Sequence, residues 1–333
     1  MIQPRASRGW IINSHPACAE ASAGRPLGID SKLRSMAMGL QKMLVLTQKR
    51  AFYLAASHRQ IKKSLLCALG VSAVKILFWT RMILPHRMFK MNKKVELRKL
   101  QNIVVQCQKC PRLVAYLQEV SQHKPKRYRD WDYWSNPLPS FGDPNARVLI
   151  VGLAPAANGG NRTGRMFTGD RSGEWLFSAL HQFGFANQPN SSHRDDGFVL
   201  SDCYITATIR CAPPDNKPLP EEIENCRPYF LKEIDLLDKA KIIVPLGQIA
   251  FVKTLKSLRL KGYEVPPLAF GHGKKYVLRT PNGPTELAEV SSLQTITLVV
   301  TYHPSQQNTQ TGKLTRSMFH KVFKMVQEAV RSY

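Results

Sequence analysis

Four cysteines carry the plainest chemistry in this chain. Cys107 and Cys110 form a C-x2-C pair followed by Pro111, and Cys211 and Cys226 come about a hundred residues later with fourteen residues between them. Two thiolates a single turn apart bind one ion or cluster without strain, and a second pair brought alongside by the fold completes four soft ligands. Such a set suits structural zinc and an iron–sulfur cluster equally well. The stretch between the pairs becomes a closed loop in either case.

Inside that loop, a polar, glycine-rich run from Gly152 to Asp170 directly follows the apolar segment Val148 to Val151. A second polar run is Ile209-Arg210-Cys211-Ala212-Pro213-Pro214-Asp215-Asn216-Lys217, and a third extends from Tyr302 to Lys313. Each follows a segment that reads as a strand. Ligands of open α/β sheets bind beyond the carboxyl ends of the strands, so three such loops predict a composite pocket.

The elements that must position these loops alternate. Val148 to Gly152, Asp202 to Thr208, Ile242 to Gly247 and Thr295 to Tyr302 read as strands; Gly173 to Phe183, Pro220 to Ala240, Gln248 to Leu258 and Ser317 to Ser332 read as helices. Between Gly271 and Leu293, the apolar stretch Tyr276 to Arg279 and the turn Pro281-Asn282-Gly283-Pro284 predict a hairpin. This βαβ alternation predicts an α/β fold: a three-layer αβα sandwich around a central, mostly parallel sheet.

Composition narrows the partners. The 333 residues carry a formal charge of +25, an excess that predicts attraction to a polyanion, nucleic acid or an anionic membrane. Residues 1–90 hold 15 Lys and Arg against Glu20 and Asp30 alone, a net +13 that leaves +12 for residues 91–333. Seven cysteines without a cleavable secretory signal indicate a reducing compartment, with Cys18, Cys67 and Cys203 as small buried hydrophobes or bystanders. Lys75 and Arg81 interrupt the apolar stretch Ser64 to Leu84, and its clean run, Leu65 to Val74, is far shorter than the ~20 residues a membrane span needs.

Residues 1–90 lack a core-forming pattern and read as an appendage, with 91–333 as the functional domain. Three accounts of the appendage compete: organelle targeting, a nucleic-acid-binding arm, or upstream sequence ahead of a true start at Met91 or Met88. The last is preferred, because Met91-Asn92-Lys93-Lys94-Val95-Glu96-Leu97 leads straight into an amphipathic helix ending at the first cysteine pair.

The loops also carry a family resemblance. Gly152-Leu153-Ala154-Pro155-Ala156-Ala157-x-Gly159-Gly160-Asn161-Arg162-Thr163-Gly164-Arg165-x-Phe167-Thr168-Gly169-Asp170, with Arg210-Cys211-Ala212-Pro213-Pro214-x-Asn216-Lys217 and Tyr302-His303-Pro304-Ser305-x-x-Asn308-x-x-x-Gly312, resembles the family 5 (type b) uracil-DNA glycosylases. It spans Met91 to the C-terminus. One departure is Asn158, where that family usually has histidine.

The resemblance implies a uracil-DNA glycosylase-like fold and a four-iron, four-sulfur cluster on Cys107, Cys110, Cys211 and Cys226, structural in role. It implies a monofunctional hydrolase in base excision repair, without a covalent lysine intermediate, that flips uracil and other deaminated bases out of DNA and leaves an abasic site. Cleaving the N-glycosidic bond develops positive charge on the sugar and negative charge on the departing base, so a carboxylate is needed near one and donors near the other. Other uracil glycosylases place an acid at the position of Ala154, which cannot orient a water. The anionic role then falls to Asp170, with Asn216 holding water or base and His303 as its partner. Asp170 also reads as the N-cap of the following helix.

Gly152, Ala154, Asn161, Phe167 and Asn308 are the expected substrate contacts, Phe167 stacking on the flipped base and Asn161 offering its amide to the uracil edge. Arg162, Arg165, Ser305, Lys313 and Arg316 are the expected DNA contacts, with Leu314 or its neighbours as a minor-groove wedge. A monomer in a bacterial-type cytoplasm, at the nucleoid, is expected. The rival readings are a catalytically inactive iron–sulfur protein that binds nucleic acid and a zinc-stabilised hydrolase of free nucleosides, for which a +12 domain makes little sense.

Overall fold

Alternation along one short strand organises the molecule. In β2 (Val148–Gly152), Val148 and Ile150 face one apolar cluster while Leu149 and Val151 face another, and every residue of the strand is buried. A strand hidden on both faces must be apolar throughout, which is why this segment reads as a continuous hydrophobic run. The structure, a computed structural model, describes residues 92–281 and 295–333. The readings of residues 1–90 and most of the turn Pro281-Asn282-Gly283-Pro284 lie outside the described residues.

Ahead of the sheet come α1 (Lys93–Val105), α2 (Pro111–Gln122) and the short strand β1 (Phe141–Gly142). After β2 follow α3 (Gly160–Thr163), α4 (Arg171–Gln182), β3 (Cys203–Ala207), α5 (Pro220–Leu236), β4 (Ile242–Pro245) and α6 (Gln248–Leu260). The chain closes with β5 (Lys275–Arg279), β6 (Thr295–Val299), α7 (Gln306–Gln310) and α8 (Arg316–Arg331).

The sheet order is β1-β3-β2-β4-β6-β5. Four central strands run parallel, with Val148 opposite Cys203 and Ile242, and both edge strands are antiparallel. One face packs on Trp175, Leu176 and Leu180 of α4 and Phe319, Phe323 and Val326 of α8; the other packs on residues of α1, α5 and α6. These are the three layers the alternation predicts. Exposed Lys275 and Arg279 mark β5 as a charged outer strand of the kind that resists edge-to-edge pairing. The two-residue β1 and the single turn α3 escape the sequence pattern, being too short to show a period.

Local chemistry sets the helix starts around the site. Asp170 caps α4 by accepting from the Gly173 amide at 2.9 Å. Thr315 caps α8 through the Met318 amide at 3.2 Å, and Ser305 caps α7. Gly173 is required by close approach, since a Cβ there would lie 1.5 Å from the Phe167 carbonyl oxygen.

Candidate active site

At the carboxyl ends of β2, β3 and β6 the three predicted loops meet around a cavity of about 570 Å³. Ala154, Phe167, Asp170, Asn216, His303 and Ser305 all contribute to its lining. A second, more polar cavity of about 630 Å³ adjoins it, and Asp170 and Asn216 line both.

The backbone around the cavity is held in unusual conformations. Phe167, Asp215 and Asn216 have φ of 58°, 53° and 58°, left-handed values that Asp and Asn tolerate and that are unusual for a bulky residue such as Phe167. Phe167 marks the place where local preference yields to a required side-chain direction. Gly152 makes room for one of them: a Cβ there would stand 2.9 Å from Phe167 Cζ. The Phe167 ring therefore lies against the end of β2, 6.2 Å from the His303 ring centroid.

Asp170 serves as helix cap and pocket wall at once. Burial pushes its carboxyl above the usual carboxylate range, opposed by the backbone amides of Gly173 and Ser172 and by the nearby Arg162 charge. Its Oδ2 is so close to Gly159 that a Cβ there would approach it to 2.5 Å. His303 follows β6, with its carbonyl held by Asn308 Nδ2 at 2.9 Å. Burial lowers the His303 imidazole to about 4, so the ring is neutral at physiological pH.

The four cysteines Cys107, Cys110, Cys211 and Cys226 line one small cavity beside Arg210, Asn225 and Tyr229. All four are free thiols, and Asn225 Nδ2 reaches Cys110 Sγ at 3.6 Å. Arg112 of α2 ties this corner to α5 by a forked pair of 2.8 Å bonds to Glu222. Among the described residues, no group of His, Cys, Asp or Glu is arranged to hold a metal ion.

The structure corrects several expected contacts. Arg162 and Arg165 are buried and committed internally, so neither reaches a phosphate. Arg162 Nε donates to the Asn158 carbonyl at 2.9 Å and Nη2 to the Gly169 carbonyl at 3.0 Å, with the guanidinium 4.0 Å from the ring centroids of both Tyr128 and Trp131. Arg165 pairs with Asp196 at 2.5 Å and bonds the carbonyls of His193 and Arg194, which staples the loop ahead of β3.

Leu314 is fully buried in the core with Phe319 and is no wedge. Asn161 is fully buried behind the cavity wall, its amide unpartnered among the described residues, and it does not line the pocket. Asn308 and Gly152 support His303 and Phe167 from outside the lining. Lys313 and Arg316 remain exposed, carried over Tyr302 at 5.2 Å and Trp175 at 4.6 Å.

Sequence reasoning missed Arg171, Asp215 and Gln306, which line both cavities. Asp215 and Gln306 were readable as polar neighbours of Asn216 and Ser305. It also missed Tyr128 and Trp131, although the basic and aromatic run from Arg127 to Trp134 is visible in the chain.

A protein-family model, the uracil DNA glycosylase superfamily, matches residues 139–327. The type-5 uracil-DNA glycosylase of Thermus thermophilus is 45% identical over 216 residues, 65% of this chain and 90% of that protein. That of Mycobacterium bovis is 42% identical over 226 residues, 68% of this chain and 78% of the relative. A type-4 uracil-DNA glycosylase from Pyrobaculum aerophilum is 31% identical over 212 residues, 63% and 84% of the two chains. With the cavity at the strand ends built from the same three loops that carry the motifs, this chain belongs to the uracil DNA glycosylase superfamily and, within it, to the type-5 uracil-DNA glycosylases.

Proposed function

We propose that this chain excises uracil from DNA by hydrolysing the bond between the base and C1′ of its deoxyribose, leaving free base and an abasic site. The observation that carries this reading is the meeting of Asp170, Asn216, Phe167 and His303 in one cavity at the strand ends, in a member of this superfamily.

As the glycosidic bond breaks, its electron pair leaves with the base and the sugar becomes cationic. The Asp170 carboxylate stabilises that cation and orients the attacking water, whose oxygen bonds to C1′. The raised proton affinity that burial gives Asp170 favours taking up the proton the water releases. Neutral His303 supplies a hydrogen bond to the departing base, and being uncharged it avoids a standing salt bridge with Asp170. Phe167 offers its ring face to the flipped base, and Asn216, on the wall between the two cavities, holds base or water.

The cysteine cavity fits a four-iron, four-sulfur cluster: four soft donors surround one space, two of them on a loop and helix already tied together. Cys107, Cys110, Cys211 and Cys226 would hold such a cluster as thiolates. Bound there, it supplies structural bracing; Cys211 lies five residues before Asn216, so the ligand set anchors one active-site loop. Exposed Lys313 and Arg316 neutralise DNA phosphates, and the protein works as a monomer on nucleoid DNA. Among the described residues, no helix is long and apolar enough to cross a membrane.

The test is release of free base from oligonucleotides carrying a single uracil, hypoxanthine, xanthine or ethenocytosine, with unmodified DNA as competitor. Uracil release that competitor DNA slows, more steeply at low salt, is the expected result. Binding without release, or hydrolysis of free deoxyuridine alone, would overturn the reading.

A further inference from the structure

Arg162 sits where a surface cation has no reason to be. It lies on the single turn α3, is 4% exposed, and has its guanidinium packed 4.0 Å from the ring centroids of both Tyr128 and Trp131, which meet edge to face at 83°. Its two arms bind carbonyls at opposite ends of one loop. Nε holds residue 158 at 2.9 Å and Nη2 holds residue 169 at 3.0 Å, the peptide that leads directly into Asp170.

The fit at the second carbonyl leaves no slack. Gly169 has φ of 77°, and a Cβ there would lie 2.4 Å from Arg162 Nη2. On the other arm, the carbonyl of Asn158 precedes Gly159, whose missing Cβ admits Asp170 Oδ2. The two loop ends thus converge on the Asp170 carboxylate, and one planar fork spans them. Lysine offers a point charge on a flexible stem and lacks the planar fork that holds two carbonyls at once.

We propose that Arg162 is a positioning residue for Asp170: its buried guanidinium clasps both ends of the 158–170 loop and fixes the carboxylate against the pocket. The proposal rests on the assignment of Asp170 as the reacting carboxylate. Tyr128 and Trp131 are part of the device, because they pack against the fork and bury it. The nearby positive charge also favours the ionised carboxylate.

A double-mutant cycle on the full chain tests this. Arg162→Lys, Asp170→Asn and the double variant are compared in single-turnover release of uracil from an oligonucleotide, with affinity for abasic-site DNA measured alongside. Misplacing a reacting group by about 1 Å costs on the order of 100-fold, so Arg162→Lys should slow release by about 10- to 100-fold while abasic-site affinity stays within about threefold. In the Asp170→Asn background the same substitution should change the rate by less than about threefold, because its target is gone.

Guanidinium ion added to Arg162→Ala should restore part of the rate in the Asp170 parent and none in Asp170→Asn. If Arg162→Lys does not fold, Trp131→Leu removes one of the two rings packed against the fork and should show the same dependence on Asp170. Losses that multiply in full across the cycle, or an Arg162→Lys rate within about threefold of the parent, overturn the proposal. A parental rate in Asp170→Asn alone overturns the assignment of Asp170 beneath it, and the arms of the cycle tell the two failures apart.

Discussion

Replacing Asp170 by asparagine separates two roles that one side chain combines. As a cap, Asp170 accepts from the Gly173 amide at 2.9 Å, and asparagine caps helices about as well as aspartate, so the capping loss is close to zero against the ~0.5–2 kcal/mol expected for alanine. As a buried carboxylate, its folded-state pKa is raised, with burial the largest cause. A raised value means that the folded protein holds this proton more tightly than the unfolded chain does. Its contribution to stability is therefore full below the ordinary value of 3.8 and is lost as pH rises through the folded value. Above that folded value the ionised carboxylate costs stability, and asparagine removes that cost.

Catalysis should move the other way. Losing one preorganised electrostatic element typically costs 10²–10³ in rate, or about 2.7–4 kcal/mol. Asp170→Asn should thus melt at or above the parent temperature at pH 7 and release uracil at least about 100-fold more slowly in single turnover. The melting difference should shrink as pH falls through the raised folded value and level off below 3.8, where the parent carboxyl is protonated in both states and resembles the amide. A rate within about threefold of the parent would refute the catalytic assignment and shift attention to Asn216. A clear fall in melting temperature at pH 7 would refute the account of the buried charge.

Other expectations follow from the same geometry. His303 is neutral down to about pH 4, so the single-turnover rate should show no histidine limb between about pH 5 and 8; its lowered pKa adds stability that is complete above 6.5 and is lost as pH falls through about 4, which acid titration of His303→Gln beside the parent would reveal. Gly152→Ala puts a methyl 2.9 Å from Phe167 Cζ, and with Phe167 held at φ 58° the ring cannot retreat freely; a stability loss of about 1–3 kcal/mol and slower uracil release should appear, with stability partly restored by Phe167→Leu. Protein purified under low oxygen should contain iron and absorb broadly in the visible, and Cys211→Ser should lose iron and melting temperature together; stoichiometric zinc with no iron would refute the cluster.

How much of this was legible in the chain depends on how far each feature relies on local pattern. The parallel sheet was readable because Val148 to Val151 and Ile242 to Pro245 are doubly buried and so apolar at every position. The meeting of the three loops was readable because strand polarity alone delivers their ends to one edge of the sheet. Arg162, Arg165 and Leu314 were misread for a shared reason. Sequence displays charge and hydrophobicity but not what covers a side chain, and here two aromatic rings, a partly buried aspartate and the α8 core cover them. The positive φ values at Phe167, Asp215 and Asn216 carried no signal, since none of these residues is glycine.

The 158–170 loop also accounts for an active-site carboxylate lying so far along the chain from the end of β2. Ala154, two residues past that strand, and Asp170, sixteen residues further on, line the same cavity. They do so because the loop folds back until its two ends touch at Gly159 and Asp170, closed by one arginine fork. A methyl at 154 leaves the cavity neutral on that side, and the α4 cap supplies charge from the other. The same N-terminal amides that begin α4 oppose the upward push that burial gives the carboxyl, so capping and catalysis draw on one set of donors. A site built this way needs no acid at the strand end. It does need glycine at 159, 169 and 173, where the loop, the fork and the helix each approach to within a bond length of contact.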